Sequence, residues 1–307
     1  MTSSPRELAQ RVELHAFGSL TLSDQQFLTG DSDGKPVTMT GEFRIAQGEG
    51  RLPTVIMMHG SGGLGAGMQS WVRRINAIGV STFAIDGFTG RGLTVVGNNQ
   101  AALGRLNFIV DIFRALALMI RHERVDPDRI AVMGFSRGGQ AAIYAAVDRF
   151  RKMWNTSGAE FCAYIPFYPD CGTTYLDDIG VSRKPIRVHH GSADDYNSLA
   201  NARKYATRLK AAGADIKVAE YPGAHHGFDN PLNFGKTLET AGSQAVCNCD
   251  IREREPGMLI NAATGKPFSY SDACVNTRPH IGGDAEAAAK AYAAVEGFLH
   301  TIFGLRG

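Results

Sequence analysis

The run Gly134-Phe135-Ser136-Arg137-Gly138 sets a single serine between glycines two residues away on either side. A serine hydroxyl is a weak nucleophile until an imidazole takes its proton, and the imidazole needs a buried carboxylate to hold one tautomer. Gly191-Ser192-Ala193-Asp194-Asp195 offers the carboxylates, and Ala224-His225-His226-Gly227-Phe228 offers the imidazoles. Asp194, fourth in Gly191-x-x-Asp, is read as the acid, with Asp195 free to cap the helix that follows. His226, before Gly227-Phe228, is read as the base. Together these residue types describe attack by Ser136 on an acyl carbon, with His226 moving the proton and Asp194 orienting His226. The tetrahedral intermediate of such an attack bears an oxyanion that needs N–H donors. The Arg137 N–H and an N–H of Ser61 or Gly62, in His59-Gly60-Ser61-Gly62-Gly63, are predicted to form that oxyanion hole. His59 itself reads as structural.

Those residues need elements to carry them. Residues 130–133 are apolar and β-branched, as a buried strand requires, and Ala141, Ala142, Ala145 and Ala146 favour a helix after the serine. A turn this tight brings backbones close together, which explains the glycines around Ser136. Further strands are predicted over 37–46, 53–58, 80–85, 161–168, 186–190 and 215–221. Helices are predicted over 64–78, 98–121, 199–212 and 285–303. Strands alternating with helices specify an α/β fold with a mostly parallel sheet and helices on both faces. Ligands of such sheets bind beyond the carboxyl ends of the strands. His59-Gly60, Asp86, Ser136, Tyr168, Asp194 and His226 each follow a predicted strand, in the order Ser, Asp, His for the reactive trio.

Smaller expectations attach to other positions. Arg91, on the loop after Asp86, has a fork of donors suited to a substrate carboxylate or oxygen, against the plainer reading of a salt bridge with Asp86. Tyr168 and Tyr196 are read as substrate-binding wall residues, against the plainer reading that they only pack. Cys171 lacks an evident base. Residues 1–36 read as a polar lead-in with turns at 29–31 and 32–34. Residues 233–284 break the rhythm and carry Cys247, Cys249 and Cys274. A long irregular stretch inside a compact domain is functional or disordered. Cys247, Cys249, Cys274 and His280 could supply four zinc ligands, but their spacing matches no common zinc pattern, so no metal is expected. A disulfide from Cys274 to Cys247 or Cys249 is expected instead. The whole chain, 1–307, is read as a single domain with an irregular cysteine-containing insertion at about 233–284.

Composition bounds the rest. Hydrophobic residues at 44% and charged residues at 20% suit a globular enzyme, and 307 residues suffice for one full core. A net charge of +2 argues against nucleic-acid or anionic-membrane partners. The apolar segment 108–120 is interrupted by Asp111 and Arg114, so no membrane partner is expected. Residues 1–10 lack the apolar core of a signal peptide. The expectation is therefore a cytoplasmic protein, or a periplasmic or secreted one if a leader was removed and the cysteines pair. Oligomeric state is not legible.

The run from Asp126 to Gly139, the His59-Gly60-Ser61-Gly62-Gly63 turn and Tyr221-Pro-Gly-Ala-His-His-Gly-Phe228 resemble the dienelactone hydrolase family of the α/β-hydrolase superfamily. The resemblance runs from about residue 53 to 229 and resumes in the last helix. It implies an α/β-hydrolase fold and cofactor-free hydrolysis of a small-molecule ester or lactone. The founding members carry cysteine at the turn, whereas this chain has Ser136, which favours a general carboxylesterase over a dienelactone-specific enzyme. Acyl transfer and short-peptide hydrolysis remain open on the same trio. A non-catalytic ligand-binding protein is the alternative from another class.

Overall fold

The computed structural model describes residues 5–305. In chain order its elements are β1 (Arg11–Thr21), α1 (Asp24–Thr29), β2 (Lys35–Ile45), β3 (Leu52–Met58), α2 (Ala66–Ala77), β4 (Ser81–Asp86), α3 (Asn107–Met119) and β5 (Val125–Phe135). There follow α4 (Arg137–Tyr144), α5 (Asp148–Trp154), β6 (Ala163–Phe167), β7 (Thr173–Thr174), β8 (Ile186–Gly191), α6 (Leu199–Ala211) and β9 (Ile216–Tyr221). The remainder is β10 (Thr237–Glu239), β11 (Ile251–Glu255), β12 (Met258–Asn261), β13 (Lys266–Pro267), β14 (His280–Gly282) and α7 (Ala285–Phe303).

Eight strands form the main sheet in the order β1-β2-β4-β3-β5-β6-β8-β9. The β1–β2 and β2–β4 pairs are antiparallel, and every pair from β4–β3 to β8–β9 is parallel. Alternation along the central strands divides the core in two. Val55 and Met57 of β3, with Ala131 and Met133 of β5, pack under α2 and α7. Ile56 and Met58, with Ile130 and Val132, face the other way onto α3 to α6. Side chains that alternate across a strand cover both faces, so the central strands are mostly apolar on both faces and need helices on each side. This is the α/β-hydrolase architecture, with helices on both faces of a mostly parallel sheet.

Three expectations fail here. Residues 1–36 are no mere lead-in: among the described ones, 11–21 form the edge strand β1 and 24–29 form α1, opened by a capping box between Ser23 and Gln26. The polar residues Glu13, His15 and Ser19 of β1 turn towards the protein while Val12 and Leu14 face solvent, Leu14 being 82% exposed. That pattern inverts the usual one, which hides the strand from a reading based on polarity. The helix predicted over 98–121 begins only at Asn107, after a 3-10 turn at Gln100–Ala102. Gly104 marks the break, lying so close to Leu22 that a Cβ would sit 2.5 Å from the Leu22 carbonyl oxygen. The 233–284 stretch is also more ordered than expected. β10 pairs with β14, and β13-β12-β11-β7 make a second small sheet. Cys249 and Cys274 are bonded, with Val246, Ile251 and Phe268 packed beside them in a small core of their own. Strands of two to five residues are too short to show a period.

Candidate active site

β5 ends at Phe135 and α4 begins at Arg137, so Ser136 alone makes the turn. Its φ of 53° and ψ of −115° are a costly conformation for a residue with a side chain. The glycines make it feasible. A Cβ on Gly134 would lie 2.0 Å from the Gly138 carbonyl oxygen, and one on Gly138 would lie 2.2 Å from that of Met58. Neither position has room for any other residue.

The turn presents Ser136 Oγ to the loops after β8 and β9. Ser136 Oγ and His226 Nε2 are 2.8 Å apart, and His226 Nδ1 and Asp194 Oδ2 are also 2.8 Å apart. A carboxylate can only accept, so Nδ1 carries the proton and donates to Asp194. Nε2 is then free to accept from the serine hydroxyl. Asp194 is buried, and its other oxygen accepts the N–H groups of Tyr196 and Asn197 at 2.9 and 2.8 Å. Those bonds fix the direction of the carboxylate. His226 lies between two rings, with Tyr196 stacked at 4.7 Å and Tyr168 edge-on at 4.6 Å.

A cavity of about 360 Å³ opens over Ser136. Its wall includes Tyr168 and Tyr196, and Gly60, Ser61 and Gly62 border it. Met68, Val95, Phe135 and Ile281 make it largely apolar, and Thr240 and Ser243 come from the 233–284 segment. Asp229 lies on the wall with its carboxylate occupied by Trp71 Nε1 at 2.6 Å and Tyr168 Oη at 2.8 Å. Burial raises its pKa. Among the described residues that line the cavity there is no lysine or arginine. Sequence reasoning passed over Asp229 and named no wall residue within the 233–284 segment. The polar residue straight after Phe228 was a signal for the first; nothing in the pattern of Thr240, Ser243 or Ile281 marks the second.

Arg137 enters the site with its backbone only. Its guanidinium points away and donates to the carbonyls of Gln100 and Leu103. Its N–H opens α4, where no intrahelical acceptor exists. Among the described residues, the N–H groups of Ser61, Gly62 and Arg137 have no acceptor. The first two stand on the loop after β3 and the third at the start of α4, next to Ser136.

Arg91 is a correction. It lies away from the cavity, its side chain 2% exposed, gripping Asp111 of α3 through two bonds of 2.8 Å. The carbonyls of Gly87 and Leu20 take further donors. A fully buried Asp111 needs a cation, and Arg91 supplies it. The partner is not Asp86, whose carboxylate accepts the N–H groups of Phe88 and Thr89. Asp195 and His225 stay out of the Ser136–His226–Asp194 line: Asp195 pairs with His280, and His225 faces the Gly282 side. His59 uses both ring nitrogens locally, donating to Gly60 O and accepting from Gly87 N–H, and burial lowers its pKa.

Metal-type ligands converge at Glu13, His15 and His122. The Arg124 N–H donates to His122 Nδ1, so Nε2 holds the proton and donates to Glu13 at 3.0 Å. A protonated Nε2 has no lone pair for an ion. Cys249 and Cys274 are joined to each other and so cannot serve the zinc set considered from the sequence.

The model of the dienelactone hydrolase family matches residues 42–250. Among solved structures, a dienelactone hydrolase-like promiscuous phosphotriesterase, P91, from metagenomic libraries is similar at 16% identity and a TM-score of 0.60, covering 95% of this chain and 99% of that one. A putative dienelactone hydrolase from Klebsiella pneumoniae follows at 17% identity and 0.53, covering 73% and 92%. A butyrate-bound thermophilic esterase from Thermogutta terrifontis has 21% identity and 0.51, covering 65% and 83%. These likenesses establish the fold. No curated protein matches the chain.

Proposed function

The chain belongs to the dienelactone hydrolase family and is a carboxylic ester hydrolase; from that premise we propose that Ser136, His226 and Asp194 are its catalytic triad and that its substrates are uncharged esters or lactones. The carrying observation is the continuous hydrogen-bonded line from Ser136 Oγ through His226 to Asp194 beneath the cavity. Ser136 Oγ attacks the ester carbonyl carbon as its proton passes to His226 Nε2. Asp194 stabilises the imidazolium that results. The carbonyl oxygen becomes an oxyanion facing the N–H of Arg137 and that of Ser61 or Gly62. Collapse expels the alcohol, which takes the proton back from His226, and leaves an acyl-serine. A water molecule, deprotonated by His226, then releases the acid and restores Ser136.

The uncharged class follows from the wall of the cavity. The two arginines weighed from the sequence, Arg91 and Arg137, spend their guanidiniums elsewhere. A carboxylate entering this space would lose much of its hydration without gaining a cationic partner.

The test is hydrolysis of a p-nitrophenyl acyl ester series from acetate upward by wild type and Ser136→Ala, both verified as folded. Turnover with an initial burst, absent from the variant, supports the acyl-enzyme. No turnover at any chain length, together with no labelling of Ser136 by a fluorophosphonate, overturns the proposal.

A further inference from the structure

Strand β14 spans the two loops that meet at the Asp194–His226 hydrogen bond. At one end, the backbone N–H and ring Nδ1 of His280 both reach Asp195, to Oδ1 and Oδ2 respectively, each at 2.8 Å. Two residues on, the Gly282 N–H donates to the His226 carbonyl at 3.0 Å, and Ile281 forms a parallel bridge with His226. Asp195 collects more from the same segment: its carbonyl accepts Cys247 Sγ at 3.0 Å and lies 3.5 Å from Asn276 Nδ2. The neighbours of Asp195 on either side are Asp194, which holds the His226 ring, and Tyr196, which stacks on it.

We propose that β14 is a splint for the acid and base loops, and that His280 and Asp195 are a positioning pair that keeps Asp194 in register with His226. The proposal rests on the reading of Ser136, His226 and Asp194 as the triad. The His280 and Asp195 side chains are 39% and 44% exposed. A contact so exposed contributes little to overall stability. Its place matters more: it ties the residue next to the acid to the same short strand that ties down the base. Displacing a reacting group by a fraction of its hydrogen-bond length is costly in rate even where folding is unaffected. β14 is itself braced by pairing with β10, and the segment behind it is closed by the Cys249–Cys274 bond.

The experiment compares wild type with His280→Ala, His280→Asn and Asp195→Asn. Turnover of p-nitrophenyl butyrate is read as kcat and KM separately. The low-field proton resonance of the His226 Nδ1–H, assigned by its loss in His226→Gln, is read in the same proteins. His280→Ala is expected to lower kcat roughly ten- to a hundredfold with a smaller change in KM, and to broaden or abolish the resonance. The melting temperature should stay near that of wild type. His280→Asn, whose amide can donate where Nδ1 does, should recover most of the rate and the resonance. Asp195→Asn keeps one acceptor and should fall between. An unchanged kcat and an unchanged resonance in His280→Ala overturn the splint. So does a His280→Asn variant as impaired as His280→Ala, because the donor would then not be what matters. Should His280→Ala fail to fold, Asp195→Asn decides: wild-type kcat with a wild-type resonance overturns the proposal. Failure of the triad reading looks different, since wild type would then show no Ser136-dependent turnover, while the resonance would still report on the splint.

Discussion

Tyr168 Oη donates to Asp229 Oδ1 at 2.8 Å while the same tyrosine ring lies edge-on to His226 at 4.6 Å. One side chain thus walls the base and satisfies a buried carboxylate. Tyr168 also holds a φ of 35°, an uncommon conformation that its surroundings must enforce. Tyr168→Phe keeps the ring but leaves an Asp229 oxygen without its donor. The expected result is a loss of about 1–3 kcal/mol in denaturant stability with a smaller effect on kcat. A variant as stable as wild type would remove Asp229 from the account of the wall.

Asp194→Asn should leave folding and KM close to wild type and lower kcat by roughly 10³- to 10⁴-fold. The amide can present its N–H to His226 Nδ1 and so favour the wrong tautomer. Steady-state kinetics with p-nitrophenyl butyrate measures this. A loss of less than about tenfold would point to the neighbouring Asp195 as the acid.

Charge on the substrate gives a third test. The mono-p-nitrophenyl ester of succinic acid matches p-nitrophenyl butyrate closely in size but carries a carboxylate. Its kcat/KM should be lower by roughly ten- to a hundredfold, the cost of desolvating an unpaired charge. Ser243→Arg, which puts a cation on the wall, should narrow the gap. Equal rates in wild type would refute the uncharged class.

Glycines of the site differ in what they tolerate. Gly138→Ala drives a methyl against the Met58 and His59 carbonyl oxygens, at 2.2 and 2.5 Å, and should cost at least about 1–3 kcal/mol. Gly62→Ala meets nothing within 4 Å and should fall within about 1 kcal/mol of wild type. Urea midpoints compare the two directly.

Acid sensitivity has an identifiable contributor. His189 is stacked on Phe167 and hydrogen-bonded to Tyr221, and burial lowers its pKa from 6.5 to about 3. Between those values the unfolded chain binds a proton that the native one does not, so stability falls as pH falls. The slope from this one group is at most about 1.4 kcal/mol per pH unit. His59 and His190 are shifted down by burial as well. His189→Gln should therefore flatten the decline in melting temperature below pH 6.5 without abolishing it. An unaltered pH slope would mean that His189 does not titrate on unfolding.

The sequence alone determined the elements whose signals are local. Glycines around Ser136 are legible because the backbone contacts they permit lie within the turn or against the adjacent strand. The parallel core is legible because its central strands, covered on both faces, carry short runs that are mostly apolar, such as 55–58 and 130–133. Tertiary structure decided what depends on distant partners. The place of Asp194 in Gly191-x-x-Asp marked it as the acid, but only folding turns it towards His226 and turns Asp195 towards His280, 85 residues away. The chain left Arg91 between a substrate ligand and a partner for Asp86, and α3 decided against both by bringing Asp111 beneath it, since a buried charge takes whichever opposite charge the packing delivers. β1 stayed hidden because its polar face points inward and its apolar face outward. The splint in β14 escaped notice because three residues carry no period, and their meaning comes from the two loops they bridge.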